Sequence, residues 1–405
     1  MKKLLFLLCL FPLLMQAQDK EEAIMVLPDL LVKGEVVNGQ QTNTLIVTNY
    51  LNGSLLSKGS PTPAVFCKDS DEYKHYFKDL LYCVVHLKGH VQGCFFVDFV
   101  IKKRKIAISY IQGFDEDVIK EEIASMPGYY RYSLDLLAKE VKELWSLGLK
   151  SVLLFVKVPD ALKDNKGVEA ANPNGLMQRA IKTVKEAVPQ MLVMTDVALD
   201  PYSIYGHDGI VENGRIVNDA TVNALCTMAL SHAQAGADFI APSDMMDGRI
   251  LALRETLEDN SFEHVGIMAY SAKYASAFYG PFRDALDSAP VDQQDIPKDK
   301  KTYQMDYHNR LEALRETRMD IEEGADIVMV KPGLCYLDIV REVKNMSEVP
   351  VAVYQVSGEY AMLKAAAANG WLDHDAVMME QIVSIKRAGA DLIASYFAKE
   401  VVKLL

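Results

Sequence analysis

The chain has 405 residues, of which 50% are hydrophobic, 24% charged and 9% aromatic, with 23 glycines and 15 prolines. These values exclude a disordered, collagen-like or repeat protein and indicate a folded globular one. The 43 Lys and Arg against 55 Asp and Glu give a net charge of −12, which argues against a nucleic-acid-binding surface. An anionic substrate would therefore need a local basic pocket.

Residues 1–20 differ from the rest of the chain. Two lysines come first, an apolar run from Leu4 to Met15 follows, and small and polar residues surround Ala17. This order is typical of a secretory signal peptide, and the run is too short to anchor stably in a bilayer about 30 Å thick. We expect a signal-like segment over 1–19 and no stable membrane anchor; the alternative is a buried N-terminal helix.

Residues 20–124 are interpreted as a small α+β module. Asn-Gly pairs at 38–39 and 52–53 between short apolar runs predict small β elements over 21–75. From Tyr82 to Ile111 the pattern is strand-like, and a helix is predicted near Asp115 to Ala124. The stretch 82–127, which ends in DEDVIKEEIASMP, weakly resembles the C-terminal domain of TonB-type envelope proteins.

Beyond Ser125, helical and short apolar segments alternate, which is typical of βα units around a parallel sheet. Amphipathic helices are predicted over Ser133–Leu147, Asn218–Ala235, Asn309–Glu323 and Asp373–Ala388. Seven strands are predicted, at Ser151–Val156, Met191–Val197, Asp238–Pro242, Val265–Tyr270, Asp326–Lys331, Pro350–Val356 and Asp391–Tyr396.

The number of strands favours a closed α/β barrel. A (β/α)8 TIM barrel needs eight strands, and Ile106–Ile111, which the N-terminal module also claims, can supply an atypical first strand. The competing open doubly wound sheet lacks a G-x-G-x-x-G motif after any strand. We therefore predict a (β/α)8 barrel domain over 125–405.

One phrase recurs where helices pass into strands. Gly-Ala-Asp occurs at 236–238, 324–326 and 389–391, each time after a predicted helix and before a predicted strand. Glycine adopts the left-handed conformation that ends a helix, so the apolar run can enter the sheet at once. The recurrence predicts a repeated unit.

Two lysines stand at predicted strand ends, where barrel enzymes place reacting groups. Lys331 follows an apolar strand, and the desolvated barrel mouth favours its neutral amine, which attacks carbonyls to form a Schiff base. Lys273 leaves the end of another strand, and two nearby amines lower each other's proton affinity. The alternative is a solvated Lys273 and a salt-bridged Lys331.

Further charged groups gather at the same predicted edge. Asp196 lies near the end of the strand predicted over Met191–Val197, and Asp200 and Asp208 follow that strand. The three carboxylates could act as acid–base groups, hold a hard cation or cap the next helix. Arg283 and Lys301, with the neighbouring Lys300, flank an Asp- and Pro-rich insertion that suggests a flap. Such cations could hold a carboxylate substrate, or be solvated surface charges.

The cysteines do not indicate zinc or a disulfide framework. Six are present, with no C-x-x-C pair and no His at zinc-finger spacing. No thiol accompanies the three aspartates, which disfavours a zinc ion among them.

Several phrases occur in the order typical of one enzyme family. They are SMPG, TDVALDPYSIYGHDG, MAYSAKYASAFYGPFR, YQM, MVKPG, YQVSGEYAM and SIKRAGADLI, within residues 125–405. This region resembles porphobilinogen synthase, also called 5-aminolevulinate dehydratase. The resemblance implies a (β/α)8 barrel and a hydro-lyase that condenses two 5-aminolevulinate molecules to porphobilinogen, with loss of water, in haem biosynthesis.

The resemblance also implies roles for individual residues. Lys331 would form the Schiff base with the first substrate and Lys273 the one with the second. Arg283 and Lys301 would bind the carboxylate of the second substrate. Ser357 and Tyr396 would bind that of the first.

The resemblance further implies the metal, the assembly and the compartment. Where zinc-dependent members carry three cysteines, this chain has Ala198, Asp200 and Asp208, which resembles the magnesium-type branch without active-site zinc. Glu316 matches the ligand of a regulatory Mg²⁺. A homo-octamer in the cytoplasm would follow from the family, whereas residues 1–19 predict export.

Two other functions stay open from the sequence. A class I aldolase with another carbonyl donor would use only one Schiff-base lysine. A non-enzymatic alternative is an envelope protein that carries a fused, inactive barrel.

Overall fold

The computed structural model describes residues 105–112 and 119–405 in full, and from the earlier part of the chain the strands alone. The signal-like segment and most of the TonB-like stretch lie outside the described residues. The chain divides into two compact units, residues 1–99 and 100–405. In the described part of the chain, each helix is too short or too polar to span a membrane.

The first unit contains an antiparallel sheet. Its strands are β1 (Glu21–Leu27), β2 (Leu30–Val37), β3 (Gln40–Leu51), β4 (Ser54–Leu55) and β5 (Ala64–Cys67). They pair in the order β1-β2-β3-β4, and β5 also pairs with β3. The prediction of small β elements over 21–75 is therefore confirmed.

The second unit is built around a closed parallel barrel. Its strands are β6 (Lys105–Gln112), β7 (Lys120–Glu122), β8 (Tyr130–Tyr132), β9 (Ser151–Lys157), β10 (Leu192–Val197), β11 (Val211–Glu212), β12 (Arg215–Ile216), β13 (Phe239–Pro242), β14 (Gly266–Lys273), β15 (Ile327–Lys331), β16 (Val351–Gln355) and β17 (Leu392–Ser395). The barrel order is β6-β9-β10-β13-β14-β15-β16-β17, and β17 pairs with β6 to close it. The predicted (β/α)8 fold is confirmed.

Helices connect and cover the strands. They are α1 (Leu134–Ser146), α2 (Leu176–Ala187), α3 (Asn218–Ala235), α4 (Arg249–Asp259), α5 (Gly280–Leu286), α6 (Leu311–Glu322), α7 (Leu337–Met346), α8 (Ser357–Ala368), α9 (His374–Ala388) and α10 (Ala398–Lys403). The amphipathic helices predicted from the sequence coincide with α1, α3, α6 and α9. Each of the four helices contacts strands of the barrel.

The first barrel strand is where the sequence allowed two interpretations. Lys105–Gln112 pairs in parallel with β9 along its whole length and with β17 at its start, so it belongs to the barrel. The barrel therefore begins upstream of residue 125. The helix predicted over Asp115–Ala124 is wrong in its described part, because Lys120–Glu122 is a strand that pairs antiparallel with β8.

The three Gly-Ala-Asp joints share one geometry. Gly236, Gly324 and Gly389 all have positive φ, of 104°, 102° and 129°, so each can end a helix without the strain of a Cβ atom. Each following aspartate accepts a hydrogen bond from the first residues of a neighbouring strand. The acceptor–donor pairs are Asp238 with the Val193 N–H, Asp326 with the Ile267 N–H and Asp391 with the Val351 N–H.

We expect Asp391→Ala to lower the free energy of unfolding by about 1–3 kcal/mol, the cost of a buried N–H that loses its acceptor. The Asp391 carboxylate accepts from the Val351 N–H at 2.9 Å and pairs with Lys344 at 2.7 Å. Urea unfolding measures the change, and Asp259→Ala, at an exposed helix end, is the control. Equal stability of the two variants would contradict the role of the joint.

Candidate active site

The two lysines singled out in the sequence end neighbouring strands. Lys273 is the last residue of β14 and Lys331 the last of β15, and their Cα atoms are partners in the parallel register. Both side chains are buried, with 5% and 3% of their surface exposed. Their Nζ atoms lie 5.9 and 5.1 Å from the centre of the Tyr270 ring. The strand β14 runs past its predicted end at Tyr270, and so places Lys273 in the barrel mouth.

Aromatic rings surround Lys331. Its Nζ lies 4.2 Å from the ring centre of Tyr354 and 4.8 Å from that of Phe282, and Tyr279 is also close. Burial, together with the positive charge of Lys273, lowers the pKa of Lys331 to about 7. The neutral amine of Lys331 is therefore accessible near pH 7.

Polar groups hold Lys273. Its Nζ donates to the backbone carbonyl of Ser243 and lies 3.3 Å from a carboxylate oxygen of Asp208. Lys273 is thus oriented by an ion pair, whereas the contacts of Lys331 are chiefly with rings. The two amines occupy different environments in one pocket.

A third lysine joins two of the predicted carboxylates. The Nζ of Lys300 lies 2.7 Å from Asp208 and 3.2 Å from Asp200. Burial alone would lower the pKa of Lys300, but the two carboxylates outweigh it and raise this pKa. Burial would likewise raise the pKa of Asp208, but Lys273 and Lys300 hold it at about 2.

Asp196 behaves differently from the other two aspartates. Burial, reinforced by the charge of Asp200, raises the pKa of Asp196 to about 7. Its Oδ1 atom is buried and has no hydrogen-bond partner among the described residues. A carboxyl group that titrates near neutral pH can both accept and donate a proton.

The predicted flap is packed over this site. The segment 287–305 returns to β14, where the Met305 N–H donates to the Lys273 carbonyl. His207 contacts it through its two ring nitrogens, which lie 3.0 Å from the Tyr303 hydroxyl and 2.7 Å from the Pro297 carbonyl. A Cβ atom on Gly206 would collide with the Ala289 backbone, so glycine allows this close approach.

The cavity beneath the flap is small. Its volume is about 20 Å³, which holds about one water molecule. Its walls are Asp200, Asp208, Ser243, Lys273, Tyr279, Phe282, Arg283, Lys300, Gln304 and Lys331. This space must enlarge before it can hold a substrate larger than water.

The basic residues assigned to the flap divide into two groups. Arg283 and Lys300 line the cavity. The Lys301 side chain is 72% exposed and pairs with Asp299 at 3.8 Å. The structure therefore brings Lys300, rather than Lys301, to the two lysines of the barrel mouth.

Ser357 and Tyr396 are buried beside the aromatic cluster. The Ser357 hydroxyl accepts a hydrogen bond from the Phe282 N–H at 2.9 Å. The Tyr396 hydroxyl contacts those of Tyr110 and Tyr354. Ser357 thus adjoins Phe282, and Tyr396 adjoins Tyr354; the rings of Phe282 and Tyr354 contact Lys331.

Glu316 lies apart from these groups, on α6. Its carboxylate accepts from Arg315 at 2.8 and 2.9 Å. No cluster of three or more His, Cys, Asp or Glu residues able to hold a metal occurs within 105–112 and 119–405. Within one subunit, therefore, Glu316 offers a single carboxylate that an arginine already neutralises.

Five other aromatic residues of the site, besides Tyr396, were not predicted from the sequence. Tyr270, Tyr279, Phe282 and Tyr354 surround Lys331, and Tyr110 extends the cluster. Tyr110, Tyr270 and Tyr354 lie within barrel strands, whereas Tyr279 and Phe282 lie in the segment that follows β14. The available signal was thus an aromatic residue in a barrel strand or in the segment after it. That pattern is equally typical of core packing, so it did not distinguish a site.

Comparisons with known proteins agree with this geometry. The family model for delta-aminolevulinic acid dehydratase matches residues 103–404. The enzyme of that name from Bradyrhizobium diazoefficiens is 52% identical over 286 residues, 71% of this chain and 80% of the relative. The one from Methanothermus sociabilis is 55% identical over 284 residues, 70% of this chain and 86% of the relative.

A solved structure is also similar to this chain. It is the delta-aminolevulinic acid dehydratase (porphobilinogen synthase) of Toxoplasma gondii in complex with its product porphobilinogen, with a TM-score of 0.72 and 45% identity. The match covers 84% of this chain and 93% of that one. With a family match that spans the whole closed barrel, this chain belongs to the delta-aminolevulinic acid dehydratase family.

Proposed function

We propose that the barrel is a porphobilinogen synthase that condenses two 5-aminolevulinate molecules, with loss of water, through Schiff bases on Lys331 and Lys273. The observation that carries this proposal is the register of β14 and β15, which sets the two buried amines side by side. Two amines in one dry pocket can activate two ketones in the orientation that bond formation needs.

The surroundings of Lys331 suit it to react first. Its pKa of about 7 supplies neutral amine without prior removal of a proton by a base. Lys273 is ion-paired with Asp208, and its positive charge helps to keep Lys331 neutral. Attack on a ketone and loss of its oxygen as water need proton transfers, and Asp196, with a pKa of about 7, is suited to them.

Lys300 and Arg283 are suited to bind the carboxylate of the second substrate, because both line the cavity under the flap. We expect Lys300→Ala to lower kcat/KM roughly 10- to 100-fold, since a charge-assisted hydrogen bond is lost in a desolvated site. The matched control is the adjacent Lys301→Ala, which we expect to change kcat/KM less than about twofold. A larger loss in Lys301→Ala would assign the carboxylate to Lys301 instead.

The metal response is proposed to act through Glu316. A Mg²⁺ that keeps most of its waters needs only one or two protein carboxylates, but here it would have to displace Arg315. We expect a chelator to lower porphobilinogen formation by the purified full chain, and Mg²⁺ to restore it in the wild type but not in Glu316→Gln. Activity indifferent to chelator would contradict a Mg²⁺ requirement. No porphobilinogen under either condition would contradict the proposed function.

We infer a homo-oligomer in the cytoplasm from the family resemblance. The signal-like segment 1–19 instead argues for export. Such a segment is removed when a protein is secreted, so its presence or absence can be measured. The intact mass of the native protein, recovered from separated cell fractions, distinguishes a retained from a cleaved N-terminus. Light scattering of the same sample gives the number of subunits.

A further inference from the structure

Three tyrosine hydroxyls lie in a row beside the aromatic rings that surround Lys331. The Tyr396 hydroxyl is hydrogen-bonded to that of Tyr110 on one side and, at 2.9 Å, to that of Tyr354 on the other. All three side chains are buried. The Tyr354 ring lies 4.2 Å from Lys331 Nζ, so the row adjoins the amine proposed to carry the first substrate.

This row has more donors than internal acceptors. Each hydroxyl carries one proton to donate, but the row has only two O···O contacts, and the described residues offer no further acceptor for these hydroxyls. When Tyr110 and Tyr354 both donate to Tyr396, the proton of Tyr396 is left without an acceptor. A buried donor in this state is unfavourable, and an anionic oxygen is its strongest partner.

The ring of Tyr110 is held in the geometry that such donation needs. It stacks on the Tyr396 ring with centroids 5.9 Å apart and an angle of 20° between the planes. It also contacts Phe282, whose ring lies beside Lys331. Hydrogen bonds in a chain polarise one another. A hydrogen bond that Tyr110 donates to the Tyr396 oxygen therefore makes the Tyr396 hydroxyl a stronger donor.

We infer that Tyr110 is a positioning residue for the first substrate: its hydroxyl donates to Tyr396, so that the Tyr396 proton is free to bond the substrate carboxylate. This inference rests on the proposed function and adds a residue to it. Tyr110 acts through Tyr396 and does not touch the substrate. Its contribution therefore depends on the negative charge of the ligand and on the presence of the Tyr396 hydroxyl.

The test uses levulinate (4-oxopentanoate), a keto acid without the amino group, and its methyl ester. Borohydride reduction traps each ketone on Lys331, and mass spectrometry gives the trapped fraction against ketone concentration. We expect Tyr110→Phe to weaken apparent levulinate binding about five- to tenfold, because a hydrogen bond that supports a contact with a charge is lost. The binding of the uncharged ester should weaken less than about twofold. The inference would be overturned if Tyr110→Phe weakened the binding of levulinate and of its ester equally, or if it did not weaken the binding of levulinate at all.

Two further variants separate positioning from packing. Tyr129→Phe is the matched control, because the Tyr129 ring lies 5.0 Å from Tyr396 but its hydroxyl donates to the Ile108 carbonyl, outside the row. Tyr129→Phe should not weaken the binding of levulinate more than the binding of its methyl ester. In a Tyr396→Phe background, Tyr110→Phe should have no further effect on levulinate; an added loss would show that Tyr110 contacts the ligand itself and would overturn the positioning role.

The outcome for the wild type separates this inference from the proposed function. If the wild type traps no levulinate on Lys331, the proposed function fails, and the inference fails with it. If trapping occurs but Tyr110→Phe binds the acid as the wild type does, only the role of Tyr110 is overturned.

Discussion

Lys331→Ala is expected to lower the rate of porphobilinogen formation roughly 10³-fold or more, because the covalent route to the product is lost with the amine. The residue is 3% exposed, and its burial and the nearby Lys273 lower its pKa to about 7. Lys331 thus combines aromatic walls with a lowered pKa. Steady-state assays with 5-aminolevulinate measure the loss.

The pH dependence of the wild type tests the same assignment. The neutral fraction of a lysine rises with pH through its pKa, so kcat/KM should increase between about pH 6 and 8 with a midpoint near the Lys331 pKa of about 7. Lys139→Ala, with a side chain 71% exposed, is the control for the loss of a lysine and should keep wild-type activity. Near-normal turnover by folded Lys331→Ala would end the Schiff-base proposal.

Lys273→Ala is expected to abolish most porphobilinogen formation while leaving one Schiff base. A second substrate needs its own amine, so turnover should fall about 10²- to 10³-fold. Lys331 should still trap levulinate, because it does not depend on Lys273 for its position on β15. The variant thus separates the capture of the first ketone from the chemistry of the second.

The loss of Lys273 should also move the titration of Lys331. The positive charge of Lys273 is the second cause, after burial, of the lowered Lys331 pKa. Without that charge, the midpoint for levulinate trapping on Lys331 should shift to higher pH. Normal porphobilinogen formation by folded Lys273→Ala would contradict a second Schiff base on Lys273.

The sequence determined the barrel and singled out the two lysines that we propose react. The βα alternation and the recurrent Gly-Ala-Asp joints are local patterns, set by helix period, strand length and the conformational freedom of glycine. They predicted the strands that carry Lys273 and Lys331 without any knowledge of pairing. The motif phrases around both lysines then indicated the family.

Other features depended on which strands become neighbours. The sequence left Ile106–Ile111 between two units, and only its pairing with β9 and β17 assigned it to the barrel. The register that sets Lys273 beside Lys331 is likewise a relation between strands about 60 residues apart, and local propensity does not encode it.

The tertiary structure also decided whether individual side chains face the site or the solvent. Lys300 and Lys301 are identical and adjacent, yet one is buried against Asp208 and the other is 72% exposed. The path of the flap back to β14 decides which of the two faces inward, and that path is fixed by contacts with Gly206 and His207 far away in sequence. The sequence therefore determined the barrel and singled out its two strand-end lysines. The tertiary structure alone decided which neighbours set their charge, because pKa values and hydrogen bonds depend on distances between segments.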